Sequence, residues 1–196
     1  MRTNRDAARP TVNLLSVAVP CGRFRILLDD QHAPVTSAYF ADLARQGALD
    51  TAAVFRVLSE KNQSDDGGIK ISVVQIGMAD GLDAPRTKLL HEHTQLTGLR
   101  HRRWSVSAAR FGPGELYGSF FVCMRDEPAL DFGGARQEDG QGFAAFGRVV
   151  DGFETLEKLH ARAEDGDMLT RRIQVEEIEI MQVSQHDIAH GLLDID

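Results

Sequence analysis

Short apolar segments, separated by glycine, proline and polar residues, run along most of this chain. Residues 12–19 and 23–28 alternate apolar and polar positions around Pro20, Cys21 and Gly22, which predicts a β-hairpin. Further strands are predicted at residues 53–58, 69–76, 104–109, 119–124, 143–150 and 172–183. In the last segment the alternation changes phase at Glu176 and Glu177, which predicts a β-bulge.

Two other segments have the three- and four-residue spacing of amphipathic helices. The first begins at Pro34 and is stopped by Gly47, and the second follows Gly152 and presents Leu156 and Leu159 on one face. Eight strands and two helices fit a mainly β fold, in which a closed eight-stranded antiparallel barrel is capped by two α-helices, because closure removes the edge strands. We expect residues 1–11 to form a flexible arm, 12–183 the barrel domain and 184–196 an acidic tail.

The composition is that of a globular protein, with 42% apolar and 26% charged residues in a chain of 196. The net charge of −7 is concentrated in the last 46 residues, which hold 12 of the 29 acidic residues and four of the 22 basic ones. Nucleic acid is not expected as a partner, because proteins that bind it usually carry a basic excess. We interpret the acidic C-terminal part as a surface for solubility or docking, away from the chemistry.

The N-terminal segment and the cysteines bear on the location of the protein. Basic residues before residues 12–19 resemble a secretory leader, but Asn13 and Ser16 interrupt the apolar run, and a strand is the better interpretation. Cys21 and Cys123 lack the spacing of metal ligands and are expected to be free thiols. We therefore expect a cytoplasmic protein that is not associated with a membrane.

Six segments, in order, resemble the cyclophilin family of peptidyl-prolyl cis-trans isomerases, in particular its divergent bacterial branch. They are the hairpin and helix start at Ala33-Pro34-Val35-Thr36, the strand Val54-Phe55-Arg56-Val57, the strand Val73-Val74-Gln75-Ile76-Gly77, the strand Ser105-Val106-Ser107-Ala108-Ala109-Arg110, the strand Gly118-Ser119-Phe120-Phe121-Val122, and the stretch from Leu130-Asp131 to Phe146-Gly147. The likeness runs from about residue 12 to residue 182.

The resemblance implies a peptide groove on the outer face of a cyclophilin-like barrel, and no cofactor. Arg56 would be the catalytic arginine, and Gln75 would hydrogen-bond the substrate carbonyl. The other implied contacts with a proline-containing polypeptide are Phe121 and Leu130 lining the proline pocket, Val73 and Phe143 at its edges, Arg110 holding the peptide backbone, and Ser119 in a position where the family has glutamine. Phe121 must then point outward, and Phe120 into the barrel.

Differences from the family pattern lead us to expect weak or selective activity. Ser72 stands where strongly active members have phenylalanine, and Ser119 shortens a side chain that orients the peptide. Ala129 replaces a tryptophan found in many eukaryotic members, so weak or no cyclosporin binding is expected. Two alternatives remain: a catalytically impaired module that only binds proline-containing segments, and a small-molecule enzyme built on another closed barrel.

Three other motifs are not assigned a chemical role. His91-Glu92-His93 lacks the helical spacing of a zinc site, and the resemblance places an acidic surface loop there, so no metal is expected. The basic run at residues 100–103 is interpreted as a solvated turn. No arrangement of serine, histidine and aspartate stands out in the sequence.

Overall fold

The computed structural model describes residues 11–64, 68–78 and 85–184, most of which belong to one antiparallel sheet. Its strands are β1 (Thr11–Val19), β2 (Gly22–Leu28), β3 (Ala53–Leu58), β4 (Val73–Gly77), β5 (Thr87–Lys88), β6 (Ser105–Arg110), β7 (Glu115–Cys123), β8 (Ala144–Asp151), β9 (Met168–Gln174) and β10 (Glu177–Ser184). The helices are α1 (Pro34–Arg45), α2 (Thr94–Thr97) and α3 (Phe153–His160), with a 3-10 turn at Pro128–Leu130. Apart from residues 11 and 184, the predicted arm and tail lie outside the described residues.

The strands follow the order β10-β1-β2-β8-β6-β7-β4-β3-β9, and the short β5 pairs with β7. The sheet curls around the larger of two apolar clusters, but within the described residues no ladder joins its two end strands, β9 and β10. The prediction of a mainly β, antiparallel fold is confirmed. The closed eight-stranded barrel with two helices is corrected to an open, curled sheet of nine strands in a row plus β5, with three α-helices.

The predicted strand at residues 172–183 is two strands rather than one strand with a bulge. β9 pairs with β3, whereas β10 pairs with β1. The backbone N–H of Val175 donates to Ala52 O at 2.9 Å, and that of Glu176 donates to Ala18 O, also at 2.9 Å. The change of phase at Glu176 and Glu177 therefore marks the point where the chain leaves one edge of the sheet and joins the other.

The concave side of the sheet holds the main apolar core, which α1 and α3 cover. Phe40 of α1 stacks on Phe146 at a centroid distance of 4.4 Å and meets Phe120 edge-on at 5.7 Å. Leu156 and Leu159 place the apolar face of α3 in the same core, as the spacing predicts. Within the described residues, none of the helices has the length and apolar character needed to cross a lipid bilayer.

Glu92 lies in the interior rather than on the predicted acidic surface loop. Its carboxylate accepts hydrogen bonds from Val35 N at 3.1 Å and from both Thr36 N and Thr36 Oγ1 at 2.7 Å. The first residues of α1 have no cap from their own N-cap position, because Ala33 has no polar side chain. Glu92 thus caps α1 from 56 residues away in sequence, which explains why this carboxylate is buried.

Alternation along β7 separates two apolar clusters. Phe120 points into the main core, and Phe121 lies on the convex face with Val73, Ala109, Leu130 and Phe143. This is the orientation that the sequence predicts for the two phenylalanines. The second cluster forms the base of a pocket on the convex face.

Candidate active site

A cavity of about 100 Å³ opens on the convex face of the sheet, above β3, β4, β6 and β7. Seven of the eight predicted site residues line it: Arg56, Val73, Gln75, Arg110, Phe121, Leu130 and Phe143. These residues come from positions spread over 88 residues of sequence, and the sheet brings them together. Ser119 is the predicted residue that does not line this pocket.

Three of these residues lie in one row across adjacent strands. Arg56 on β3 is opposite Gln75 on β4, which is opposite Phe121 on β7. Directly opposed residues in an antiparallel sheet have side chains on the same face. The register of the sheet therefore presents a cation, an amide and an aromatic ring side by side.

The base of the pocket is apolar. Val73, Phe121, Leu130 and Phe143 are all buried, and the rings of Phe121 and Phe143 meet edge-to-face with centroids 5.4 Å apart. An edge-to-face pair stabilises its geometry beyond the apolar area that it buries. The pocket is therefore suited to a small apolar ring flanked by polar groups.

Arg56 follows an irregularity in β3, where the register shifts between Val54 and Arg56 on both sides of the strand. Its Nε and Nη2 both donate to Asp167 Oδ2, at 2.9 and 2.7 Å. Asp167 belongs to the acidic C-terminal part of the chain, which the charge pattern assigned to a surface away from the chemistry. In the structure Asp167 instead contacts a predicted site residue.

Gln75 makes a contact that the sequence analysis missed. Its Nε2 donates to the hydroxyl of Tyr117 at 2.8 Å. Burial raises the pKa of Tyr117, although the hydrogen bond from Gln75 and the charge of Arg56 act in the opposite direction. Tyr117 alternates in phase with Phe121 along β7, so its place on the convex face could have been predicted, but it lies one residue before the segment that resembles the family.

All three nitrogens of the Arg110 guanidinium hold the loop before β8. Its Nη1 and Nη2 donate to the two oxygens of Asp139, each at 2.8 Å, and its Nε donates to Gly142 O at 2.7 Å. The hydrogen bonds from Arg110 lower the pKa of Asp139. Because the guanidinium also lies 5.0 Å from the Phe143 ring, Arg110 sets the position of one pocket wall.

Ser119 is fully buried, and its hydroxyl donates to Met78 O at 2.8 Å. This bond holds the chain beyond β4 against β7. The residue predicted to orient a peptide therefore has its hydroxyl bound within the protein.

Comparison with known proteins identifies the family. Residues 14–184 match the family model described as cyclophilin type peptidyl-prolyl cis-trans isomerase/CLD. The chain belongs to the cyclophilin family. It is 29% identical to peptidyl-prolyl cis-trans isomerase A of Dickeya dadantii (strain 3937) over 154 aligned residues. The alignment covers 78% of this chain and 73% of that protein. It is 26% identical to peptidyl-prolyl cis-trans isomerase B of Escherichia coli (strain K12) over 156 aligned residues. That alignment covers 79% of this chain and 88% of that protein.

Solved structures support the cyclophilin fold independently. A cyclophilin type peptidyl-prolyl cis-trans isomerase of Cryptosporidium parvum aligns with a TM-score of 0.67 at 20% identity, covering 87% of this chain and 98% of that one. A second structure of that protein, in the presence of the dipeptide Ala-Pro, aligns with a TM-score of 0.66 at 20% identity. At this level of identity the likeness concerns the fold alone.

Beneath the pocket of this cyclophilin lies a buried serine–histidine–aspartate network that the sequence analysis did not find. His101 Nδ1 lies 2.8 Å from Asp131 Oδ1, and His101 Nε2 lies 2.9 Å from Ser107 Oγ. Burial tends to raise the pKa of Asp131, but hydrogen bonds from His101 lower it below its ordinary value. Ser107 is fully buried, so it is not accessible as a nucleophile. The imidazole instead stacks under the Phe121 ring, at a centroid distance of 6.3 Å, and the network supports the pocket from below.

The histidines on either side of Glu92 are also part of the fold. His91 Nε2 donates to Gln141 O at 3.0 Å, and the His93 ring stacks on Phe132 at 4.4 Å. Burial lowers the pKa of His91. Within the described residues, no group of three or more histidine, cysteine, aspartate or glutamate side chains is arranged to hold a metal ion.

The two cysteines are both free thiols. Cys123 is fully buried, and this burial raises the pKa of its thiol well above the ordinary value. A thiol that stays protonated in an apolar environment is a poor nucleophile. Cys123 therefore contributes packing under the pocket rather than chemistry.

Proposed function

We propose that this cyclophilin catalyses cis-trans isomerisation of X-Pro peptide bonds in protein clients, with weak or selective activity. The observation that carries the proposal is the row of Arg56, Gln75 and Phe121 across three strands, above an apolar pocket. Membership of the family supports the same conclusion. The dipeptide Ala-Pro named with the Cryptosporidium parvum structure supplies a suitable model substrate.

The chemistry requires no covalent intermediate and no cofactor. Rotation about an X-Pro amide meets a barrier of about 18–20 kcal/mol, because the nitrogen lone pair is conjugated with the carbonyl. In the twisted state the nitrogen becomes pyramidal and accepts a hydrogen bond that the planar amide does not. Arg56 is permanently charged and binds this twisted state better than either planar isomer, which lowers the barrier.

Arg56 alone does not account for the full effect expected of an efficient isomerase. An acceleration of 10⁴- to 10⁵-fold corresponds to roughly 5.5–7 kcal/mol. One charge-assisted hydrogen bond contributes about 1.5–3 kcal/mol. In the proposed site, the remainder comes from the proline ring held over Phe121 and Leu130, and from Gln75 and backbone groups near Arg110 that fix the flanking peptide.

Contacts within the site support weak or selective turnover. The Gln75 amide is already bonded to Tyr117, and the Ser119 hydroxyl to Met78 O. Ser72 does not replace the aromatic wall of strongly active members, because its Oγ lies 3.0 Å from His160 Nε2, outside the pocket. Ala129 provides no ring for a macrocycle, so we propose weak or no binding of cyclosporin.

A cytoplasmic location and the lack of nucleic-acid and membrane partners stay predictions from the sequence.

Exchange NMR on a short Ala-Pro peptide tests the proposal, because it reports binding and isomerisation separately. We expect the wild type to accelerate exchange, and Arg56→Ala to reduce the catalysed rate at least about tenfold, the effect of losing one charge-assisted hydrogen bond. Arg56→Lys is the matched control, since it keeps the charge but loses the planar fork of donors. A wild type that binds the peptide but is no faster than Arg56→Ala would leave the alternative, a catalytically impaired module that holds proline-containing segments.

A further inference from the structure

Arg56 stands in the wall between two cavities. One is the proline pocket, and the other is a larger cavity of about 550 Å³ that also includes Asp167 and Asp165 in its lining. Asp167 lies on the side of the larger cavity and is not part of the pocket lining. The carboxylate therefore contacts the guanidinium from the larger cavity, whose lining does not include Gln75 or Phe121.

The backbone around Asp167 is held against β3. Val57 N donates to Asp167 O at 3.0 Å. Asn62 Nδ2 donates both to Val57 O at 2.7 Å and to Gly166 O at 3.0 Å. Because Val57 directly follows Arg56, the carboxylate and the arginine are fixed to the same short stretch of structure.

The contact leaves a defined set of donors for the substrate. A guanidinium has five N–H donors in a plane, and Asp167 Oδ2 accepts one from Nε and one from Nη2. The remaining three belong to Nη1 and the outer side of Nη2. The charge of Arg56 acts to lower the pKa of Tyr117, which is the partner of Gln75. The guanidinium charge therefore lies close to the pocket.

We propose that Asp167 is a positioning residue for Arg56. Its carboxylate holds the guanidinium so that the free N–H donors point toward the pocket. The inference rests on the proposed role of Arg56. A free arginine on a strand samples many rotamers, and an ion pair on its Nε edge removes most of them before the substrate arrives. The side chains are 32% and 42% exposed, so water screens the carboxylate and the guanidinium keeps most of its effect on the twisted amide.

The test is a set of variants measured by exchange NMR on the Ala-Pro peptide. We expect Asp167→Ala to lower the catalysed isomerisation rate about tenfold, as for the loss of one charge-assisted contact, while peptide affinity changes less than about twofold. Asp167→Asn keeps one acceptor oxygen and should fall between this variant and the wild type. Asp165→Asn is the matched control, because it removes a charge from the same cavity without touching Arg56, and it should behave as the wild type.

A double-mutant cycle separates positioning from a general loss of structure. If Asp167 acts through Arg56, the variant Arg56→Ala/Asp167→Ala is no slower than Arg56→Ala. The Nε–H resonance of Arg56 should also shift in Asp167→Asn, whose thermal unfolding checks that the fold is kept.

Two outcomes overturn the inference. An unchanged rate in both Asp167 variants shows that the pair has no catalytic effect, and a faster rate shows that Asp167 restrains Arg56 instead of orienting it. These outcomes leave the proposed function intact as long as Arg56→Ala is slower than the wild type. If Arg56→Ala equals the wild type, the proposed function fails, and this inference fails with it.

Discussion

At the residue scale, four side chains of the proposed site each contact a polar or aromatic partner that was not predicted from the sequence. Asp167 contacts Arg56, Tyr117 accepts from Gln75, and Asp139 pairs with Arg110. The His101 ring lies beneath Phe121. The contacts from Asp167, Asp139 and His101 fix the geometry of the site before the substrate binds, which reduces the entropy lost on binding.

The bond between Gln75 and Tyr117 leads to a prediction about peptide affinity. In the free protein Tyr117 accepts one of the two N–H donors of the Gln75 amide, and we expect the amide to turn away from Tyr117 to reach a substrate carbonyl. We expect Tyr117→Phe to bind the Ala-Pro peptide about threefold more tightly, since a neutral hydrogen bond contributes about 0.5–1.5 kcal/mol net. An NMR titration measures the Kd.

The other tyrosine of the chain offers the control. Tyr39→Phe removes the same hydroxyl from a side chain outside the pocket lining, and should leave the peptide Kd unchanged. Weaker binding by Tyr117→Phe would contradict the prediction. It would show that the Tyr117 hydroxyl holds Gln75 in the orientation that binds the substrate.

At the scale of the elements, the start of α1 depends on a carboxylate from another part of the chain. Glu92 is 3% exposed and accepts three hydrogen bonds at the beginning of this helix. Removing the carboxylate leaves buried N–H and O–H donors without a partner, which is costly in an apolar interior.

We predict that Glu92→Ala lowers the free energy of unfolding by about 2–3 kcal/mol, and Glu92→Gln by about 1–2 kcal/mol, because the amide keeps one acceptor oxygen. Urea unfolding followed by circular dichroism measures both values. Glu179→Gln, an exposed change on β10, serves as the control and should stay within about 0.5 kcal/mol of the wild type. Wild-type stability in Glu92→Ala would show that the helix start has no need of this cap.

At the scale of the whole molecule, the acidic C-terminal part is less separate from the rest than its sequence indicates. Arg23 pairs with Glu177 and Arg25 with Asp151, each at 2.5 Å. Asp167 reaches the proposed site itself. The excess of negative charge in the last 46 residues is therefore partly balanced by arginines from the N-terminal strands, and part of it contacts Arg56.

The stability of the whole protein should depend on pH through Asp131. The folded-state pKa of this carboxyl lies below its ordinary value of 3.8 because hydrogen bonds from His101 outweigh the effect of burial. A lowered folded-state pKa means that the carboxylate stabilises the native state above about pH 4, and that this contribution is lost as the pH falls through the folded-state pKa.

We therefore predict that the free energy of unfolding of the wild type decreases below about pH 4, and that Asp131→Asn decreases less steeply over the same range. Urea unfolding at a series of pH values between about 2.5 and 7 measures the two slopes. Asp126→Asn, at an exposed carboxylate in the same region, is the control and should keep the wild-type slope. Equal slopes for the wild type and Asp131→Asn would contradict the prediction.

Much of the fold could be predicted because the apolar pattern is local information. The alternation in β2 and β7, the start of α1 at Pro34 and the apolar face of α3 all depend on neighbouring residues, and the structure has each of them. The last strand was predicted wrongly as one element. Its division at Glu176 follows from pairing with two different edges of the sheet, which no local pattern specifies.

The antiparallel β class follows from the period-two alternation, and the likeness to the cyclophilin family follows from the residue motifs. Seven residues of the pocket lining follow from that likeness. Which polar groups meet depends on the tertiary structure. Asp167 is 111 residues from Arg56, Glu92 is 56 from Thr36, and Asp131 is 30 from His101. Contacts at such separations arise from the register and curvature of the whole sheet, and they set the orientation of the side chains that the sequence had already indicated.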